Sequence, residues 1–215
     1  MKRLAMQDLL NWKSSEDRKP LILKGARQVG KTWLMKEFGK KHYDNYVYFN
    51  FDEEDDLKSI FQTNKNPFRI IELLSMISGE PIKPGNTLII LDEIQECPEA
   101  LNSLKYFKER ANEYHIVVAG SLLGTLLAQP KSYPVGMVQI LNIYPLSFEE
   151  FLCAIDENLY IYYKDIDKNQ KIYKTQQKHN KKCKKYRKNV CLCIFETGGG
   201  MISYNKESVI KKSFF

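Results

Sequence analysis

The stretch KGARQVGKT, Lys24 to Thr32, sets the pattern for everything around it. From Gly25 to Thr32 it fits G-x-x-x-x-G-K-[ST], and its flanks carry as much weight as the match. Pro20-Leu21-Ile22-Leu23 is a short apolar run suited to a buried strand, and a helical pattern begins at Trp33 and runs to about Lys41. A strand that enters a glycine loop opening a helix aims successive backbone N–H groups, and the positive end of the helix dipole, at one point. That point suits a polyphosphate. Glycine is expected at 25 and 30 because a Cβ would block the tight turn or the close approach of backbone. Lys31 is expected to neutralise β- and γ-phosphate oxygens as a point charge, and the Thr32 hydroxyl to take one position on a bound Mg²⁺.

A second stretch supplies what such a loop needs. Thr87-Leu88-Ile89-Ile90-Leu91-Asp92-Glu93 is a continuous apolar run, hence a strand buried on both faces, that delivers two carboxylates at its C-terminal end. Ligands of open parallel sheets bind at that end of the strands. Asp92 is therefore expected to hold Mg²⁺ directly or through water, and Glu93 to polarise the water that attacks the γ-phosphate. Two adjacent acids after a strand are a weak signal alone, but not about 60 residues beyond a phosphate loop. His115-Ile116-Val117-Val118-Ala119-Gly120-Ser121 reads as another buried strand, tipped by a hydroxyl. Ser121 is expected either to reach the γ-phosphate or its attacking water, or to cap a helix over Leu122–Ala128.

The other segments complete an alternation of strands and helices. Residues 1–19 read as a short amphipathic helix with Leu4, Leu9, Leu10 and Trp12 on its apolar side, packed beside the loop. Tyr46–Phe51 reads as a strand, ended by the acidic run Asp52-Glu53-Glu54-Asp55-Asp56, itself a solvated loop or a helix N-terminus. Helices are expected over Pro67–Ser78 and over Pro98–Arg110, the latter with Leu101, Leu104, Tyr106 and Phe107 apolar. Val138–Ile143 supplies a fifth strand, and Ser147-Phe148-Glu149-Glu150 has the spacing of a capping box that starts a last helix.

Composition bounds the partners. The chain has 215 residues, 43% of them hydrophobic, enough for one substantial domain with an appendage. Its formal charge of +7 is concentrated in residues 161–215, with 14 Lys/Arg against 4 Asp/Glu, leaving 19 against 22 in residues 1–160. The overall basic charge is therefore no sign that the globular part touches nucleic acid. No signal peptide or run of 18 apolar residues occurs, so neither export nor a membrane partner is expected. Five cysteines without a disulfide-like pattern fit a reducing cytoplasm. His179, Cys183, Cys191 and Cys193 match no zinc-site spacing.

Four blocks in order, GARQVGKT, LIILDEIQECPEALNSLKYFKE, VVAGSLLG and PVGMVQILNIYPLSFEEFL, resemble the bacterial and archaeal AAA+-type ATPases that join this domain to a nuclease-like C-terminal domain of unknown function. The resemblance covers residues 1–155. It implies an α/β P-loop NTPase fold, a five-stranded parallel sheet of order 5-1-4-3-2 flanked by helices, and ATP with Mg²⁺ as ligands. It also implies that Gly25, Ala26, Arg27, Gln28, Val29, Gly30, Lys31, Thr32 and Trp33 surround the nucleotide as a Walker A loop. Thr32 and Asp92 then hold the metal, with Lys31, Glu93 and Ser121 the catalytic set. Met137 departs from the pattern, because such proteins usually carry Lys or Arg after that glycine, and contact with phosphate or a neighbouring subunit hangs on it.

Residues 156–215 resemble nothing in that family. Their Lys-, Tyr- and Asn-rich composition, with the cluster KKCKKYRK, fits three readings: a poorly ordered basic arm that binds nucleic acid, a small tail packed on the domain, or an out-of-frame product following truncation. Two functions from different classes follow, an ATP-hydrolysing enzyme and a nucleotide-gated binding module with negligible turnover. A P-loop kinase is disfavoured by the Asp92-Glu93 pair and by the lack of an arginine-rich lid segment after the third strand.

Overall fold

Short β-branched runs alternate with segments of helical periodicity along the chain, and that alternation builds a parallel sheet covered on both faces. The computed structural model describes residues 2–121 and 136–165. The elements are α1 (Ala5–Lys13), β1 (Leu21–Lys24), α2 (Lys31–His42), β2 (Asn45–Asn50), α3 (Asp55–Thr63), α4 (Pro67–Ser78), β3 (Thr87–Asp92), a 3₁₀ turn (Ile94–Glu96), α5 (Pro98–Arg110), β4 (His115–Gly120), β5 (Gln139–Asn142) and α6 (Phe148–Ile155). The strands lie in the order β2-β3-β4-β1-β5, which is the expected order read from the other edge. All pairings are parallel. The register sets Asn50 opposite Asp92 and Lys24 opposite both Gly120 and Asn142, which aligns the C-terminal strand ends along one edge.

Period-two alternation along each strand divides the core in two. Leu21, Leu23, Leu88, Ile90, Val117 and Ala119 face α1 and α2, where Leu9, Trp12, Leu34 and Phe38 cover them. Ile22, Val47, Phe49, Ile89, Leu91 and Val118 belong to the opposite cluster with residues of α3, α4 and α5. β3 and β4 are buried along their whole lengths, as continuous apolar runs demand. At the far end of β4 from the phosphate loop, His115 accepts or donates a 2.7 Å hydrogen bond with the Tyr43 hydroxyl. Burial and the nearby Arg18 and Lys13 push its pKa down to about 4, so it is neutral at pH 7.

Local signals place the helix ends. Asn66 caps α4 by accepting from the Phe68 N–H, Pro67 takes the first helical position, and Gly79 ends the helix in the left-handed region. At α6 both halves of the capping box form, Ser147 with the Glu150 N–H and Glu150 with the Ser147 N–H. The acidic run 52–56 resolves into the helix N-terminus of its two readings, with α3 starting at Asp55.

Three expectations about individual side chains fail. Leu4 is not on the apolar side of the first helix: it precedes α1, is 59% exposed, and Arg3 is buried instead. Tyr106 is only half-buried on α5, with Lys105 and Arg110 near its ring, while Ala100 and Ser103 join Leu101, Leu104 and Phe107 on the buried face. The second strand ends one residue earlier than its aromatic run, leaving Phe51 buried beyond it. The expected helix over Leu122–Ala128 lies outside the described residues, as does nearly all of the basic tail. One compact unit spans Met1–Tyr160, and residues 161–165 beyond it are helical. No helix among the described residues is long and apolar enough to cross a membrane.

Candidate functional site

The loop between β1 and α2 is shaped by two glycines for different reasons. A Cβ on Gly25 would lie 2.3 Å from the Ile143 carbonyl oxygen, because the chain leaving β5 crosses directly beneath the loop. The Ile143 N–H donates to the Lys24 carbonyl at 2.7 Å and fixes that crossing. Gly30 occupies the N-cap of α2 at φ 87°, a left-handed conformation that glycine adopts without penalty. Gln28 is left-handed too, at φ 62°, so the backbone turns sharply twice within three residues. No side chain among the described residues caps α2 and its first turn holds no acid, so its N–H groups suit an external anion.

Lys31 sits at the start of α2, only 7% exposed. Its ammonium donates to the carbonyls of Gly25 (3.0 Å) and Ala26 (2.8 Å). Burial lowers its pKa, with the charges of Glu93 and Asp92 opposing that shift. Ala26, Arg27 and Gln28 form the exposed crest of the loop, Trp33 is partly exposed on α2, and Val29 turns inward into the core.

The carboxylate expected to hold a metal is fixed from three sides. Asp92, 2% exposed, accepts from the Thr32 hydroxyl at 2.5 Å and from the Tyr48 hydroxyl at 3.2 Å on Oδ2, and from the Glu93 N–H at 3.0 Å on Oδ1. Burial raises the Tyr48 pKa, and Asp92 adds to the shift, so the phenol stays a donor. Lys36 lies 3.5 Å from the Tyr48 ring centre. Thr32 and Asp92 thus form a hard oxygen pair suited to Mg²⁺. No trio of His, Cys, Asp or Glu able to hold a metal occurs among the described residues, and Mg²⁺ is ordinarily held by one or two protein oxygens with phosphate and water.

Glu93 leaves the strand at φ 49°, a left-handed position for a non-glycine residue. Its Oε2 accepts from Gln95 Nε2 at 2.5 Å, and Ser121 Oγ approaches the same oxygen at 3.5 Å, the outer limit of a hydrogen bond. Gln95 Oε1 is buried with no hydrogen-bond partner among the described residues. The structure therefore brings Gly25, Lys31, Thr32, Asp92, Glu93 and Ser121 to one edge of the sheet, where β1, β3 and β4 end.

Sequence reasoning missed Tyr48, Gln95, Arg3 and Glu150. Tyr48 was legible in principle, since it lies two residues before the end of a strand that pairs with the acid-bearing one. Gln95 and Arg3 carry no comparable signal, and Glu150 was read only as a capping residue.

A protein-family model described as an AAA domain matches residues 17–152. Three of the solved structures to which the chain is similar are longer chains, of which it spans less than half. They are C. elegans PCH-2 (15% identity, 69% of this chain and 43% of that one, TM-score 0.40), Drosophila ORC bound to DNA (16%, 70% and 44%, 0.47) and the Aeropyrum pernix ORC1 protein in complex with DNA (17%, 72% and 46%, 0.42). No curated protein matches it.

Proposed function

Because the chain belongs to the AAA domain family, we propose that it is an ATPase that binds Mg·ATP at the loop 25–32 and hydrolyses it with Glu93 as general base. The observation that carries this reading is the 2.5 Å contact between Thr32 and Asp92, residues 60 apart in sequence, beside a buried lysine bonded to two neutral carbonyls. Loop and helix N–H groups bind the phosphates, and Lys31 compensates their charge. A bound Mg²⁺, held by Thr32 and Asp92, supplies further neutralisation of the β- and γ-phosphate oxygens. Glu93 orients a water and takes its proton as the water oxygen bonds to the γ-phosphorus. The bond to the β,γ-bridging oxygen breaks, leaving ADP and phosphate. Gln95 and Ser121 both address Oε2, so in this reading Oε1 is the oxygen that takes the proton.

A second reading, a nucleotide-gated binding module with negligible turnover, is supported by the grip of Gln95 on Glu93 and by Met137, where resembling ATPases usually carry a cation. Glu93→Gln separates the two. It removes the base charge and leaves Lys31, Thr32 and Asp92 in place. Calorimetric affinity for Mg·ATP is expected to stay the same or rise slightly, while steady-state phosphate release falls by about 10²–10⁴. Equal turnover would move the base elsewhere, joint loss of binding and turnover would make Glu93 structural, and a wild type that binds without turnover would favour the module.

A further inference from the structure

Arg3 is the least expected buried residue of the molecule. Its side chain is 4% exposed and paired with Glu150, itself 7% exposed, at 3.1 Å across 147 residues of sequence. Its other two donor nitrogens go elsewhere. Nη2 donates to the Tyr144 carbonyl at 2.8 Å, in the segment after β5, and Nη1 donates to the Val29 carbonyl at 2.9 Å, inside the phosphate loop. Glu150 is equally shared: Oε1 also accepts from the Leu4 N–H at 2.6 Å, and Oε2 accepts from the Ser147 N–H at 2.8 Å as half of the α6 capping box.

Burial of such a pair is weak evidence of a stability role, since desolvation of both ions offsets most of the attraction. The geometry suggests another use. The Val29 carbonyl and the Gly30 N–H belong to one planar trans peptide, so they point in opposite directions. A guanidinium on the carbonyl therefore fixes the N–H facing away from Arg3 and polarises it into a stronger donor. Gly30 is the left-handed N-cap of α2, and a Cβ there would come within 3.3 Å of Arg3 Nη1, so the arginine packs against the loop as well as bonding to it.

Resting on the nucleotide reading above, we propose that the Arg3–Glu150 pair couples helix α6 to the phosphate loop, so that α6 docking and nucleotide occupancy strengthen each other. Arg3 is a positioning residue here: it acts through the Val29–Gly30 peptide. If α6 shifts, Glu150 leaves, Arg3 is left buried without its counter-charge, and its hold on the Val29 carbonyl weakens as it turns toward water. By linkage, a nucleotide that holds the loop must hold α6 by the same factor.

The test uses the full chain. Wild type, Arg3→Met and the double variant Arg3→Met/Glu150→Met are titrated with Mg·ATP by calorimetry, and hydrogen exchange of residues 147–155 is followed with and without it. The double variant removes both charges together and is expected to fold with an ordinary thermal transition. We expect ATP to slow exchange at 147–155 several-fold in wild type, and both variants to bind about tenfold more weakly without that protection. Wild-type affinity in a folded variant would overturn the coupling. So would a wild type that binds ATP with unchanged exchange at 147–155, a result that depends on no variant folding and leaves the nucleotide reading standing. A wild type that binds no Mg·ATP overturns both.

Discussion

At the scale of single residues, the site depends on hydroxyls and amides that hold acids as much as on the acids themselves. Tyr48 contacts no expected ligand position, yet its hydroxyl and that of Thr32 share Asp92 Oδ2. Groups that orient a metal-binding carboxylate in this way typically matter about 10–100-fold for metal affinity. Tyr48→Phe keeps the ring beneath Lys36 and removes only the donor. Apparent Mg²⁺ affinity at saturating ATP is expected to fall about tenfold, with ATP affinity in EDTA unchanged. Calorimetry under the two conditions decides it, and an unchanged Mg²⁺ dependence would leave the hydroxyl a packing role. Asp92 and Glu93 show why position outweighs type. They are adjacent acids on one strand end, but Asp92 is held by donors on both oxygens while Glu93 is turned out of the strand at φ 49°.

At the scale of elements, the unit that matters is β1, loop and α2 together with the chain leaving β5. The loop is not self-supporting: the Ile143 carbonyl lies under Gly25 and the Ile143 N–H ties to Lys24. Gly25→Ala places a methyl 2.3 Å from backbone that cannot rotate away. Either the loop or the β5 exit must shift. Overpacking of this kind costs roughly 1–3 kcal/mol, and the shift falls on the loop N–H groups that the proposal assigns to phosphate. A lower melting temperature and weaker Mg·ATP binding are expected together, read by thermal unfolding and titration. A variant that melts and binds like wild type would mean that the β5 exit yields freely and is no support.

At the scale of the whole molecule, the contacts that assemble the site fall within Met1–Tyr160. Arg3, near the start, meets Glu150, near the end, and both sheet faces are covered by helices from within that span. We propose that this unit is the nucleotide-binding domain and that residues beyond it add no part of the site. A chain ending at Tyr160 is expected to fold and to bind Mg·ATP within about twofold of full length, a difference near 0.4 kcal/mol. Circular dichroism and calorimetry check this. Loss of folding or binding would make the basic tail part of the domain.

The sequence by itself determined most of the described elements and the residue types at their ends, because those rest on local rules. Apolar runs such as Leu88–Leu91, flanked by turn formers and rich in β-branched residues, read as buried strands, the loop pattern at Gly25–Thr32 needs its glycines where they stand, and Ser147 with Glu150 announces a helix start. Only the tertiary structure decided which distant groups share one atom. That Tyr48 meets Asp92 and that Arg3 rather than Leu4 is buried depend on strand register and on the segments that meet beside the loop. The residues flanking Arg3 in sequence carry no trace of its pairing. Arg3 was unreadable for the clearest reason: its burial is tolerable only because Glu150, Tyr144 and Val29 bring their oxygens to it from three other parts of the chain.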